Sequence, residues 1–131
     1  MNMTILEARI RRSSLDTLAE DMYRDFSSKL IQDLRKEGKA ALFGIEKENE
    51  TYTVIGENSV YYITDSKIEK EISFEKFQDL FKSNLLQQEK SFEIENIYDE
   101  REDNIWVKNV KVLCAFSNII LLLSKNKFAM K

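Results

Sequence analysis

A chain of 131 residues with a net charge of -3 and a pI near 5.2 contains no histidine, one cysteine and three glycines. Without histidine, Ser-His and Cys-His nucleophile pairs and His-containing zinc sites are excluded, and one cysteine forms neither an internal disulfide nor a thiolate cluster. The three glycines, Gly38, Gly44 and Gly56, are wrongly spaced for a dinucleotide-binding or Walker-type phosphate loop, and the acidic balance argues against nucleic-acid binding.

The composition predicts one folded domain spanning residues 1–131. Apolar residues make up 43% of the chain, which is enough to build a core and argues against disorder. The longest apolar run, residues 119–123, is far shorter than the roughly 18 residues that cross a bilayer, and Glu7 lies where a secretory signal would be apolar. We therefore expect a cytoplasmic protein without a membrane partner. Cys114 lies in an apolar stretch, which is typical of a buried, inert thiol.

Residues 14–37 carry a helical pattern. Ser14 is a suitable N-cap, and Gly38 is a suitable stop. Residues 4–11 either extend this helix or form a short helix of their own. The apolar residues of the pattern recur every three or four positions: Leu15, Leu18, Met22, Phe26, Leu30 and Leu34.

After Gly38 the period changes to alternation, which predicts a run of strands. Their connections are short and polar, so consecutive strands are expected to pair as an antiparallel meander. A second amphipathic helix, capped by Ser73, follows over residues 73–86. The predicted strands cover residues 40–46, 51–56, 60–64 and 67–72.

The last third of the chain is ambiguous. Alternation resumes at Phe92, Ile94 and Tyr98, before a charged loop. Residues 105–123 fit either two buried strands with a turn at Ser117-Asn118, or a strand and a core helix, and their β-branched content favours two strands. The predicted fold class is α+β, with an antiparallel sheet (meander plus C-terminal strands) and two amphipathic helices packed on one face.

Carboxylate pairs are candidates for catalysis, but the sequence pattern does not favour a catalytic role. Glu46 with Glu48 and Glu69 with Glu71 alternate with lysines on predicted strands, which is typical of a solvated face. Catalytic carboxylates need partial burial to separate their pKa values. We expect no catalytic residue, no metal site and no cofactor.

Residues 89–103 have the most unbalanced charge in the chain, with seven acidic and two basic side chains. An aromatic anchor beside complementary charge is a common way to combine affinity with fast association. A solubilising loop with the tryptophan in the core is the alternative interpretation, and it is the commoner case. The candidate partner-binding residues are Glu93, Glu95, Tyr98, Asp99, Glu100, Glu102, Asp103 and Trp106.

These features favour a non-enzymatic protein that binds another protein with a basic surface. In size, acidity, α+β build and lack of catalytic groups the chain resembles bacterial immunity proteins, which implies neutralisation of a toxin, such as a basic nuclease, by direct binding. Secretion chaperones of the type III kind are similar in size and acidity and run helix, three strands, helix, two strands, which implies a homodimer that binds an effector segment. The predicted order departs from theirs by one extra strand in each half and by lacking a terminal helix. A small phage or plasmid inhibitor of a host enzyme shares the features of the first class, and the oligomeric state stays open.

Overall fold

The chain begins with a helix of its own. The computed structural model describes residues 1–87 and 94–129. Asn2 is the N-cap of helix α1 (Met3–Ser13), and its side chain accepts a hydrogen bond from the Ile5 N–H. The helix ends at Ser14, which adopts a left-handed backbone with φ of 61°. Residues 4–11 therefore form a separate helix and do not extend the next one.

The single helix predicted over residues 14–37 is wrong. The segment instead contains α2 (Leu15–Leu18), a 3₁₀ turn (Glu20–Met22), strand β1 (Tyr23–Arg24) and helix α3 (Lys29–Lys36). The Asp25 carboxylate accepts hydrogen bonds from the N–H and hydroxyl of Ser27, and the Ser28 hydroxyl accepts one from the Ile31 N–H. These local hydrogen bonds compete with the helix and start a new one at Ser28.

The predicted meander is confirmed. The five-stranded antiparallel sheet has the order β1-β2-β3-β4-β5, so strands that follow each other along the chain are neighbours. Gly44 allows a close approach within it, because a Cβ there would lie 2.4 Å from the Thr53 carbonyl oxygen. The four longer strands are β2 (Ala41–Lys47), β3 (Thr51–Gly56), β4 (Ser59–Ile63) and β5 (Glu69–Ser73).

The second amphipathic helix is also confirmed, as α4 (Phe74–Gln87). The short strands β6 (Asn96–Tyr98) and β7 (Asn104–Trp106) pair with each other as a separate sheet, here called the hairpin, and do not extend the meander. Phe92, in the predicted C-terminal alternation, lies outside the described residues.

The preferred prediction of two strands over residues 105–123 is wrong, and the alternative of a strand and a core helix is correct. Helix α5 (Val110–Lys125) follows β7 and contains the predicted turn at Ser117. Asn109 caps it by accepting a hydrogen bond of 2.9 Å from the Val112 N–H. Half of its residues are buried, so core packing overrides the strand preference of valine and isoleucine.

The helices cover both faces of the five-stranded sheet. One face packs against α1, α2, α4, α5 and the hairpin in a large core that includes Phe43, Phe77 and Phe116. The opposite face packs Val54 and Tyr61 against Ile31 of α3. The α+β class is confirmed, whereas α3 and α4 lie on opposite faces, contrary to the expectation that both share one. Among the helices of the described residues, none has the length and apolar character needed to cross a membrane.

Candidate functional site

The loop of the hairpin is held in shape by one carboxylate. The Asp99 side chain accepts hydrogen bonds from the backbone N–H groups of Arg101, at 2.8 Å, and Asp103, at 3.0 Å. The Asp99 N–H also donates to the Asp103 carbonyl oxygen. Glu102 completes the loop with a positive φ of 62°. Asp99 therefore stabilises the backbone of the loop in addition to contributing a negative charge.

Asn84 of α4 fixes the position of Tyr98. Its amide donates to the Tyr98 carbonyl oxygen and its oxygen accepts from the Tyr98 N–H, both at 3.0 Å, while the amide also donates to the Leu80 carbonyl oxygen. Asn84 is buried, whereas Tyr98 is 45% exposed. One signal of this role is visible in the sequence, a polar residue inside the apolar stripe of α4, and our sequence reasoning missed it.

An open groove of about 880 Å³, here called the acidic groove, lies between α4 and the hairpin loop. Among the described residues, four carboxylates and one cation line it. The Lys76 ammonium donates to the Glu100 carboxylate at 2.7 Å, and this hydrogen bond lowers the pKa of Glu100 and raises that of Lys76. The other three carboxylates leave the groove negative, so it attracts cationic groups. Its charged and aromatic lining consists of Lys76, Asp79, Tyr98, Asp99, Glu100 and Glu102.

Lysines from distant parts of the chain compensate part of the acidic stretch. Lys70 of β5 hydrogen-bonds the Asp103 carboxylate, in the same way that Lys76 pairs with Glu100. Tyr62 of β4 is 1% exposed, and burial followed by the charges of Asp99 and Asp103 raises its pKa to about 12. The hairpin loop therefore lies close to the sheet and is not a free-standing acidic tail.

The structure brings only part of the predicted site residues together. Tyr98, Asp99, Glu100 and Glu102 come together in the acidic groove, and Asp103 is bound to Lys70 beside it. Glu95 is exposed but does not line the groove, and Glu93 lies outside the described residues.

Trp106 belongs to the core. It is 4% exposed, its ring lies 4.9 Å from the Lys47 ammonium, and its carbonyl oxygen accepts a hydrogen bond from the Thr53 hydroxyl. A buried ring is not available as a surface anchor, so we leave Trp106 out of the candidate surface and retain Tyr98 as its aromatic group.

Among the described residues, the carboxylates weighed for catalysis are hydrogen-bonded to a cation or exposed, and Cys114 is partly buried, not fully buried as expected. Glu46 accepts a hydrogen bond of 2.9 Å from Arg24, and Glu48, Glu69 and Glu71 are exposed. Within residues 1–87 and 94–129, no group of three or more Cys, Asp and Glu side chains is suited to hold a metal ion.

The described residues thus define an α+β protein with an acidic groove that contains one exposed aromatic ring. The chain matches no family model, no curated protein and no solved structure. The acidic groove is the feature from which a function can be inferred.

Proposed function

We propose that this chain is a non-enzymatic binding protein whose acidic groove receives a basic surface of another protein. The observation that carries the proposal is Tyr98, which is 45% exposed in a groove with four carboxylates and is fixed by the buried Asn84. Asn84 fixes the backbone that carries the ring, so little backbone entropy is lost there on binding, and the surrounding charge speeds encounter with a cationic partner.

The role that fits best is a cognate inhibitor, such as an immunity protein that neutralises a toxin by direct binding. A nuclease must attract phosphate, so its substrate-binding surface is basic and is complementary to the acidic groove. An inhibitor of this kind needs a rigid surface and no catalytic group. Asp99 and Asn84 supply the rigidity by fixing the loop and the strand that form one wall of the groove.

Co-expression with the protein encoded by the neighbouring reading frame tests this role. We expect that protein to be toxic alone, to be tolerated together with this chain, and to co-purify with it. Tyr98→Ala should reduce the protection, whereas Ile68→Ala, which removes a 51% exposed side chain outside the groove, should preserve it. Protection that is equal in the two variants would argue against the acidic groove as the binding surface. Capture of a resident host enzyme would instead favour the phage or plasmid inhibitor.

A secretion chaperone is a second candidate because of α5. Helix α5 follows the two strands of the hairpin, so the chain has a terminal helix, as such chaperones do. The lack of a terminal helix was one of the departures predicted from the sequence. A chaperone of that kind should be an obligate homodimer. Sedimentation equilibrium at micromolar concentration distinguishes the two roles, since a stable monomer contradicts the chaperone and is compatible with the inhibitor.

A further inference from the structure

Helices α1 and α5, with Lys127 just after α5, form a basic surface, here called the basic face. α1 packs against α5, and the Met1 ammonium donates a hydrogen bond of 2.8 Å to the Lys127 carbonyl oxygen, so the start of α1 lies beside the end of α5. Glu7 is the one acid of α1, and α5 contains none. The exposed bases are Arg9, Arg11, Arg12, Lys111, Lys125 and Lys127. This face is therefore strongly positive in a chain whose net charge is -3.

The cations of the basic face are available to a partner. None of the six forms an ion pair with another described residue. Two of the four large apolar side chains that are exposed in the described residues also lie here, Ile5 at 47% and Leu121 at 48%. Ile5, Arg9 and Arg12 are four and three residues apart, so they share one side of α1. Such a surface suits a negatively charged partner with some apolar character.

The acidic groove of the same chain has the complementary composition. Asp79 and Glu102 line it, and no described residue hydrogen-bonds either side chain. Tyr98 adds a ring that is 45% exposed. Arginine suits this lining, because its planar guanidinium pairs with carboxylates and also stacks on aromatic rings.

Helix α4 separates the two charged surfaces within one molecule. The Gln78 amide donates to the Ser117 carbonyl oxygen at 2.9 Å and its oxygen accepts from the Ser117 hydroxyl at 2.7 Å, which identifies the side of α4 that faces α5. Successive helix residues are about 100° apart, so Leu80 and Ser83, which line the acidic groove, lie on the other side of α4. The acidic groove and α5 therefore flank α4 on opposite sides, and no ion pair among the described residues joins the groove to the basic face.

We propose that two copies of this chain associate head to tail, with the basic face of one copy on the acidic groove of the next. The contact is heterologous, so a dimer keeps one free surface of each kind and a third copy can add. Exposed ion pairs each contribute little free energy, so we expect a dissociation constant on the order of 100 µM at low salt and a monomer at micromolar concentration. The inference uses the acidic groove but needs no foreign partner, so it can fail while the proposed function holds.

Sedimentation velocity of the wild-type protein is the first test. At about 10 mM salt, where the screening length is about 30 Å, we expect the average mass to rise with protein concentration. At about 150 mM salt, where the screening length is about 8 Å, the rise should be much smaller. A wild-type protein that stays monomeric at low salt and several times the expected dissociation constant overturns the inference and leaves the proposed function in place.

Two double variants, each lacking one surface, test which surfaces meet. The groove variant, Asp79→Asn/Glu102→Gln, and the face variant, Arg9→Gln/Arg12→Gln, should each weaken self-association at least about tenfold. An equimolar mixture of the two should form a dimer that does not grow, because it retains one intact groove and one intact face. A mixture that stays monomeric while the wild type associates overturns the head-to-tail contact.

A matched control separates the groove from the general charge of the protein. Glu48→Gln/Glu71→Gln removes the same charge as the groove variant at exposed positions outside the groove, and should associate as the wild type does. Equal weakening in this control and in the groove variant would contradict the assignment to the acidic groove. Thermal unfolding of every variant shows whether a loss of association reflects a loss of the fold.

Discussion

The buried side chain of Asn84 pairs with the backbone of Tyr98 as a neighbouring strand would, with one hydrogen bond donated to the carbonyl oxygen and one accepted from the N–H, both of 3.0 Å. A helix side chain thereby closes the edge of β6 at the residue that carries the exposed ring. The position of Tyr98 is thus set by α4 and not by the hairpin alone.

Replacing Asn84 should destabilise the protein strongly. Asn84→Ala removes three hydrogen bonds and leaves the Tyr98 backbone groups without partners, which costs about 2 to 3 kcal/mol of unfolding free energy. Ser83→Ala is the control, since this exposed neighbour makes one long hydrogen bond of 3.3 Å and should change the unfolding free energy by less than about 0.5 kcal/mol. Urea denaturation measures both, and equal values for the two variants would contradict the proposed role of Asn84.

Glycine at position 102 should stabilise the hairpin. Glu102 adopts a φ of 62°, which costs a residue with a Cβ more than it costs glycine, so Glu102→Gly should raise the unfolding free energy by about 0.5 to 1 kcal/mol. Glu102→Ala removes the same charge from the same position without relieving the positive φ, and should not raise stability. Thermal denaturation compares them, and an equal gain for both would show that charge, and not the backbone, decides the effect.

The fluorescence of Trp106 should report on the state of the core and not on binding at the acidic groove. As the single tryptophan, 4% exposed, it should emit at a shorter wavelength than free tryptophan and be quenched weakly by acrylamide. Its emission should stay the same when the acidic groove is occupied. Trp106→Ala should lower the unfolding free energy by about 3 to 5 kcal/mol, as expected for a buried aromatic ring. Strong quenching in the folded protein would restore Trp106 to the candidate surface.

Alkaline pH should destabilise the protein partly through Tyr62. Burial raises the pKa of this phenol from 10.0 to about 12, so the unfolded state loses the proton first, and the stabilisation present below pH 10 is lost as the pH rises from 10 to 12. Tyr62→Phe should therefore show a shallower loss of unfolding free energy across this window in urea denaturation. The loss should not vanish, because burial also raises the pKa values of Tyr23 and Tyr52. An unchanged slope would show that Tyr62 ionises alike in both states.

Hydrophobic periodicity predicted which residues are buried better than it predicted helix length. Leu15 and Leu34 of the stripe over residues 14–37 are buried, although they belong to two separate helices, and its other four members are partly buried against the two cores. The break was encoded locally by Asp25 and Ser28, whose side chains hydrogen-bond nearby backbone N–H groups. Helix α5 was predicted as strand, because the β-branched residues were given more weight than the capping signal of Asn109.

The acidic loop was visible in the sequence, whereas its partners were not. The pairing of Lys70 with Asp103 joins residues 33 positions apart, and that of Lys76 with Glu100 joins residues 24 positions apart. Neither follows from local composition, because each depends on how β5 and α4 pack against the hairpin. Asn84 was missed for the same reason, since its role exists only once Tyr98 lies beside α4.

The central claim, that the acidic groove attracts a basic protein, is tested most directly by association kinetics with the captured partner. Asp79 and Glu102 suit reversal because no described residue hydrogen-bonds either side chain. Asp79→Lys/Glu102→Lys should slow association at least about tenfold at low salt and flatten its dependence on ionic strength. Glu48→Lys/Glu71→Lys changes the net charge equally at exposed positions outside the groove and should have a much smaller effect. Equal association rates for the two double variants would contradict the claim.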